Sequence, residues 1–178
     1  MYAEWREHRR RATAIRDSMP DLGPALDEYA RNVNTLIDLA EQHSVRPLFL
    51  TQPVLWKADL APELARLLWV GRVGEELRPG GQEYYSIGAL AEGMRRYNER
   101  LMEVCRSRGV ECVDLAAALP KDTTVFYDDD HYNEAGADRV AGEVAAYMLQ
   151  YVPFAPSSSG AAAGAMAARV SPIRSLHR

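Results

Sequence analysis

The sequence predicts an α/β domain in which helices pack on a parallel sheet. Three observations support this class: stretches with apolar residues at three- and four-residue spacing, two short apolar runs typical of buried strands, and the order in which they follow one another. Helices that alternate with strands in this way usually cover a parallel sheet. Each helix returns the chain to the end of the sheet at which the previous strand began, so the next strand runs in the same direction. The 178 residues, of which 47% are hydrophobic and 26% charged, suffice for one globular domain.

The first predicted elements are a helix and a strand. Residues 1–16 are rich in arginine, and we interpret them as a solvated helical face because the stretch is short and lies in an acidic protein. Residues 25–43 are predicted to form an amphipathic helix from their apolar spacing. Residues 44–51 are predicted as a buried strand, which ends at Pro53 because proline cannot continue a hydrogen-bonded ladder.

Residues 54–86 are predicted to be an insertion that carries a short helix. The segment is longer than the usual connection between a strand and the next helix, and residues 79–81 form a Pro-Gly-Gly break. It holds four large aromatic residues, for which core packing is favoured over a role in lining a substrate site. These residues are Trp56, Trp69, Tyr84 and Tyr85.

The remaining elements are two helices and a strand. A helix is predicted over residues 87–107 and ends at Gly109. A second strand follows at 110–115, and a last helix at 133–150 with Asn133 as its N-cap. Two strands alone form a marginal sheet, so the pattern also predicts that part of the sheet is missing.

Composition excludes several classes of function. The net charge of −4 and an isoelectric point near 5.6 do not indicate a nucleic-acid partner. No run has the apolar core of a signal peptide or approaches the roughly 18 apolar residues of a membrane span, so a soluble chain is predicted and its compartment stays open. Cys105 and Cys112 are predicted to be buried thiols.

The most informative segment lies between the second strand and the last helix. Asp128 and His131 are three residues apart at a helix entrance, so the carboxylate can accept from one imidazole nitrogen and leave the other facing a cleft. Histidine suits a base because its pKa lies near neutrality. A plain polar loop at a helix start is the alternative, since carboxylates are favoured near a helix N-terminus.

The segment 125–137 resembles the last conserved block of SGNH/GDSL hydrolases, and the order of elements over residues 25–150 is similar to the end of that family's domain. The resemblance implies a three-layer α/β/α, flavodoxin-like fold and hydrolysis of carboxylic esters, such as an acetylated sugar or a lipid, without a cofactor. It assigns catalytic roles to Asp128 and His131 only. Residues 1–24 would be a variable N-terminal segment, and the Pro-, Ser-, Gly- and Ala-rich residues 151–178 a disordered tail.

The family's Gly-Asp-Ser block and its oxyanion-hole glycine and asparagine are not recognisable. Ser18 is a poor nucleophile candidate because nothing strand-like precedes it, and Ser44, Ser86 and Ser107 lie within or at the ends of ordinary elements. We therefore expect a truncated chain, or one completed by a partner, that is inactive alone. The strand at 45–51 is expected to expose an unpaired edge that favours self-association.

Two other functions stay open. Asp128, Asp130 and His131 offer three donors for a divalent cation, as in a metal-binding module or metallohydrolase, although alternating aspartates are not expected to point all three donors inward. The second alternative is a non-catalytic remnant of an enzyme that binds a partner. Asp129 and Asp130 are lesser candidates for the carboxylate that pairs with His131.

Overall fold

The computed structural model describes residues 2–74 and 82–151 and shows a mixed α/β chain with parallel strand pairs. In chain order its elements are α1 (Tyr2–Arg10), β1 (Ala14–Arg16), α2 (Gly23–Gln42), β2 (Leu48–Leu50), α3 (Pro62–Ala65), β3 (Glu83–Tyr85), α4 (Ile87–Arg108), β4 (Glu111–Val113), α5 (Leu115–Ala118) and α6 (Glu134–Gln150). The α/β class is thereby confirmed. The break at 79–81 and the tail after Tyr151 lie outside the described residues.

Both predicted strands are present and pair with each other. β2 runs parallel to β4, with Phe49 opposite Cys112. Each is shorter than predicted: β4 stops at Val113 because the Asp114 side chain accepts a hydrogen bond from the backbone amide of Ala117 and starts α5. Leu115, predicted as strand, is therefore the first residue of a short helix.

A second parallel pair was not predicted. β1 pairs with β3, so the expectation that nothing strand-like precedes Asp17 and Ser18 is wrong. The three side chains of β1 are all exposed, and a strand without buried positions leaves no apolar alternation in the sequence. Side chains of the two strands support the pairing, since the Arg16 guanidinium makes two hydrogen bonds, of 3.1 and 2.8 Å, with the Glu83 carboxylate.

The three predicted long helices are confirmed as α2, α4 and α6, with ends close to the expected positions. α4 begins where the Ser86 side chain accepts from the backbone amide of Ala89, and it ends at Gly109, whose φ of 65° suits glycine. Asn133 caps α6 as predicted, accepting from the Gly136 amide. α2 packs against α4 around a core that contains Val33, Ile37, Leu101, Val104 and the two cysteines.

Cys105 and Cys112 form a disulfide, which corrects the prediction of two buried thiols. The bond joins the end of α4 to β4, and its Cα atoms lie 6.2 Å apart, within the normal range for disulfides. The predicted helix end at Gly109 did not indicate the bond, because the distance between the two sulfur atoms depends on how α4 packs against β4 in the folded chain.

The segment 54–74 forms the second core together with the residues around Phe126. Its buried members are Val54, Leu55, Trp56, Leu68, Leu90, Leu119, Val125 and Phe126. Trp56 and Tyr84 are buried, as the core interpretation of the insertion's aromatics predicted, and α3 is the predicted short helix. No helix in the described part of the chain combines the length and the apolar character needed to cross a membrane.

Candidate active site

A tight loop between α5 and α6 presents the predicted pair. The backbone amide of Tyr127 donates to the carbonyl of His131 over 2.8 Å, and the amide of Asn133 donates to the carbonyl of Val125 over 2.9 Å. Phe126 and Tyr132 face each other in an antiparallel bridge, with ring centroids 5.6 Å apart. These contacts close the loop and place residues 128–131 at its tip.

Asp128 and His131 meet at the tip. Nδ1 of the imidazole lies 2.9 Å from Oδ1 and 3.1 Å from Oδ2 of the carboxylate. Asp128 is fully buried, whereas 53% of the His131 side chain is exposed. The structure thus brings together both residues to which the resemblance assigned catalytic roles, with the carboxylate inside and the imidazole facing outward.

Further donors hold the Asp128 carboxylate. Oδ1 accepts from the backbone amides of His131 at 3.1 Å and of Asp130 at 3.3 Å, and Oδ2 accepts from the Trp69 indole at 3.1 Å. Burial alone would raise the pKa of Asp128, but these hydrogen bonds and the one from the His131 ring lower it below its usual value. The carboxylate is therefore ionised at neutral pH.

The imidazole responds to this carboxylate. Its hydrogen bond with Asp128 and the negative charge there raise the pKa of His131 above the ordinary value. Within the described residues no hydrogen bond involves Nε2, so that nitrogen faces outward with its lone pair available in the neutral tautomer that has hydrogen on Nδ1. This is the arrangement that a general base requires.

Asp129, one of the lesser candidates to pair with His131, has different partners. Its Oδ1 accepts from the Trp56 indole at 2.7 Å, and its Oδ2 accepts from the backbone amides of Trp69 at 2.8 Å and Val70 at 3.4 Å. Complete burial raises its pKa. Asp129 thus connects the loop to residues 56–70 by hydrogen bonds. The sequence pattern did not indicate this structural role.

Asp130, the other lesser candidate, lies 3.4 Å from Nδ1 of His131, farther than Asp128 does. Its Oδ1 is buried without a hydrogen bond within the described residues, and burial raises the pKa of the group. Donor atoms of Asp128, Asp130 and His131 all lie within 4.8 Å of one another. The expectation that the three donors would not converge is therefore wrong.

Aromatic residues from distant segments stand beside the imidazole. The Tyr2 ring lies 6.1 Å from the His131 ring and 5.6 Å from that of Trp69, and Trp5 lies 4.7 Å from Trp69, all measured between centroids. The interpretation of residues 1–16 as a solvated helical face does not include this contact. The available signal was the pair Tyr2 and Trp5, three residues apart on one side of an otherwise polar helix.

The helix α1 is fixed by polar contacts as well. Nε of Arg6 donates to the carbonyl of Leu67 over 2.9 Å, and Arg9 donates to the carbonyls of Val70 and Tyr85. Two arginines of the basic stretch therefore contact backbone oxygens of the insertion, whereas Arg10 and Arg11 pair with Glu7 of the same helix.

None of the four serines considered as nucleophile hydrogen-bonds to His131 in the described part of the chain. Oγ of Ser86 caps α4, and Oγ of Ser107 donates to the carbonyl of Val104. Ser44 adopts a positive φ of 54° in the turn after α2, and Ser18 is exposed beyond β1. The described residues thus bring Asp128 and His131 together, and none of these four serines hydrogen-bonds to the pair.

A separate cavity of about 600 Å³ opens at the carboxyl ends of β2 and β4. Neither Asp128 nor His131 lines it, so it is not part of the site described above. Its walls include Thr51, Gln52, Met94, Asn98, Asp114 and Lys121.

No protein-family model matches the chain, and neither the curated proteins nor the solved structures contain a match.

Proposed function

We propose that this chain carries the acid–base half of an SGNH/GDSL-type serine hydrolase that cleaves carboxylic esters, within a three-layer α/β/α domain. The observation that carries the proposal is the pair of contacts, 2.9 and 3.1 Å long, between Nδ1 of a half-exposed His131 and the carboxylate of a fully buried Asp128. His131 is the general base, and Asp128 holds its tautomer and stabilises the imidazolium.

The proposed reaction needs a serine hydroxyl presented to Nε2 of His131. The imidazole takes the hydroxyl proton as the oxygen attacks the ester carbonyl, and it returns that proton to the departing alkoxide. Water then attacks the acyl-enzyme with the same base and releases the acid. Asp128 suits its role because the protein's own donors keep it ionised throughout.

The nucleophile and the oxyanion donors are not among the recognised residues of this chain, so we expect the chain alone to be inactive. Loss of a triad serine lowers turnover by roughly a millionfold in enzymes of this kind. A partner chain or a longer form of the protein would supply the missing groups.

The test is hydrolysis of p-nitrophenyl acetate by this chain and by a form extended upstream to the next in-frame start. We expect activity in the extended form alone. There, His131→Ala should lower turnover by about four to six orders of magnitude and Asp128→Asn by roughly ten-thousandfold. Asp130→Asn, in the same loop, is the matched control and should have a much smaller effect.

Two outcomes would contradict the proposal. Activity of the extended form that survives His131→Ala would remove His131 from the mechanism. Absence of activity against short, long and sugar-linked esters in both forms would favour the alternative of a non-catalytic interaction remnant.

A divalent-cation site is the second candidate, because donor atoms of Asp128, Asp130 and His131 converge within 4.8 Å and one Asp130 oxygen has no hydrogen bond in the described residues. Oxygen and imidazole ligands suit zinc or manganese. Calorimetric titration with each metal tests it: stoichiometric binding lost in Asp130→Asn supports a metal site. Binding that is absent, or unchanged in that variant, rejects it.

A further inference from the structure

Three aromatic rings form a continuous group that ends at the imidazole of His131. Trp5 and Trp69 lie 4.7 Å apart at a tilt of 34°, Tyr2 lies 5.6 Å from each of them, and the Tyr2 and His131 rings form a T-shaped pair with centroids 6.1 Å apart. Spacings of 4.5 to 7 Å are those at which aromatic rings attract one another. We call Tyr2, Trp5 and Trp69 the aromatic wall.

The aromatic wall is attached directly to the dyad. The Trp69 indole donates to Oδ2 of Asp128 at 3.1 Å, and the backbone amide of the same tryptophan donates to Asp129 at 2.8 Å. A ligand that rests on the wall is therefore held at a fixed position relative to the imidazole. Such positioning is what a substrate subsite contributes to a reaction.

The rings of the wall remain accessible. Tyr2 is 37% exposed and Trp5 and Trp69 are half-buried, whereas Trp56 and Tyr84, the core aromatics of the insertion, are only 7% and 3% exposed. Core packing alone explains the second group. It does not explain why the first group keeps part of its surface in solvent beside the only exposed histidine of the loop.

The charges of the neighbouring side chains restrict the class of ligand that this site can bind. The carboxylates of Asp128 and Asp130 lie 2.9 and 3.4 Å from Nδ1 of the imidazole. The Arg6 guanidinium donates through Nε to the Leu67 carbonyl and its Cζ lies 5.2 Å from the Tyr127 ring centre, while its Nη2 is buried without a hydrogen bond to the described residues. An anionic ligand would be repelled by the carboxylates, so an uncharged ring is favoured.

From these contacts we infer that the aromatic wall of Tyr2, Trp5 and Trp69 is a subsite for the ring-bearing part of an uncharged ester, whose carbonyl then faces His131. The inference rests on the proposed function, since it assigns the wall to the substrate of that base. The shared chemistry is an apolar ring face that can stack on an aromatic side chain, provided by the π face of an aryl group or the C–H face of a pyranose.

The experiment measures binding without hydrolysis, by saturation-transfer NMR on the chain as it exists. The probes are acetanilide for an aryl ring, methyl β-D-glucopyranoside for a pyranose, and N-butylacetamide as a ringless control. We expect at least one ring probe to bind and the ringless probe to show no transfer. Tyr2→Ala should weaken the bound ring probe by about two- to tenfold, the effect of one aromatic contact.

Two further variants serve as a second test of the wall and as a control outside it. Trp5→Ala should weaken binding similarly, and circular dichroism checks that the helix content is retained. Tyr147→Ala removes an aromatic residue that contacts Tyr151 and Glu111, away from the wall, and should leave binding unchanged. Binding of acetanilide alone identifies an aryl ester, and binding of the glucoside alone identifies a sugar ester.

The inference is overturned if neither ring probe binds, or if binding is the same in Tyr2→Ala and Trp5→Ala as in the unaltered chain. The proposed function is judged separately, by ester hydrolysis in the extended form. His131→Ala should abolish that hydrolysis and leave ring binding within about twofold, so failure of one proposal is not mistaken for failure of the other.

Discussion

Asp128 shows how a buried charge is sustained by its neighbours. An ionised carboxylate without partners inside a protein would be neutralised by a raised pKa. Asp128 instead accepts from two backbone amides, one indole and one imidazole, and its pKa is lowered. The hydrogen bonds from His131 that stabilise the negative charge of Asp128 also fix the orientation of the imidazole ring.

The first residue-scale prediction concerns the titration of His131. Its pKa should lie above 6.5 in the native chain, and Asp128→Asn should bring it back toward that value, because the hydrogen bond and charge of Asp128 are the largest causes of the shift. Proton–carbon NMR of the imidazole measures both. Asp130→Asn, the matched control, should produce a smaller fall, and an equal fall in the two variants would contradict the assignment.

The same shifts predict how the pair affects stability across pH. The folded pKa of His131 is raised, so its contribution is complete below about pH 6.5 and is lost as the pH rises through the folded pKa. The folded pKa of Asp128 is lowered, so its contribution is present above about pH 3.9 and is lost as the pH falls through the folded pKa. Urea unfolding of the native chain and of Asp128→Asn across this range measures the difference, which should be largest between these limits.

The second residue-scale prediction distinguishes the effects of the Trp69 and Trp56 indoles, which donate to Asp128 and Asp129 respectively. Trp69→Phe removes the donor to Asp128, so the pKa of Asp128 should rise, and the free energy of unfolding should fall by about 1.5–3 kcal/mol, as for a hydrogen bond to a charged group. Trp56→Phe removes the donor to Asp129 and should destabilise the chain without moving the pKa of Asp128. Carbon-13 carboxyl titration distinguishes them, and an Asp128 pKa that is unchanged in Trp69→Phe would refute the first.

At the scale of single elements, the packing of α6 against the preceding loop requires a glycine at position 136. Gly136 lies in its first turn, and a Cβ built there would overlap the carbonyl group of Val125, whose carbon would be only 2.8 Å away. That carbonyl is the one that accepts from the amide of Asn133 and closes the loop that carries Asp128 and His131. The glycine is required by this close approach of two backbone segments, since its own φ is not in the left-handed region.

We therefore predict that Gly136→Ala destabilises the chain by several kcal/mol, because either α6 or the loop must move. Gly142 in the same helix is the control: a Cβ there meets nothing within 4 Å, so Gly142→Ala should stabilise by up to about 1 kcal/mol through helix propensity. Thermal unfolding followed by circular dichroism measures both. Equal melting temperatures for the two variants would contradict the packing argument.

At the scale of the whole molecule, the described strands form two separate parallel pairs. β2 is paired on one side by β4, and in residues 2–74 and 82–151 no strand pairs with its other side. Large apolar side chains are exposed on β2 and on the helix and turn before it. They are Leu36, Leu39, Val45 and Leu50.

An unpaired strand edge next to exposed apolar side chains favours association between copies. We predict that the chain self-associates at micromolar concentration and that Leu50→Lys, which adds a charge to the edge strand, shifts it toward monomer. Leu149→Lys is the control, because Leu149 is 81% exposed at the end of α6, outside the strand. Sedimentation velocity measures this, and a stable monomer with a cooperative melt in the unaltered chain would contradict the prediction.

The sequence by itself determined the local elements and the spacing of the dyad. The helix from Ser86 to Gly109 and the helix after Asn133 follow from periodicity and caps, which depend on neighbours a few residues away. Asp128 and His131 could be singled out for the same reason, since their contact is made within one short loop.

Which distant groups contact the dyad depends on how the helices and strands pack together. Trp69 reaches Asp128 across 59 positions of the chain, and β1 pairs with β3 across a comparable span although its side chains are exposed. The roles of Asp128 and Asp129 differ because only Asp128 hydrogen-bonds to the His131 imidazole, a distinction that adjacent identical residues cannot reveal. Long-range contacts depend on how the elements pack, and local spacing carries no information about that packing.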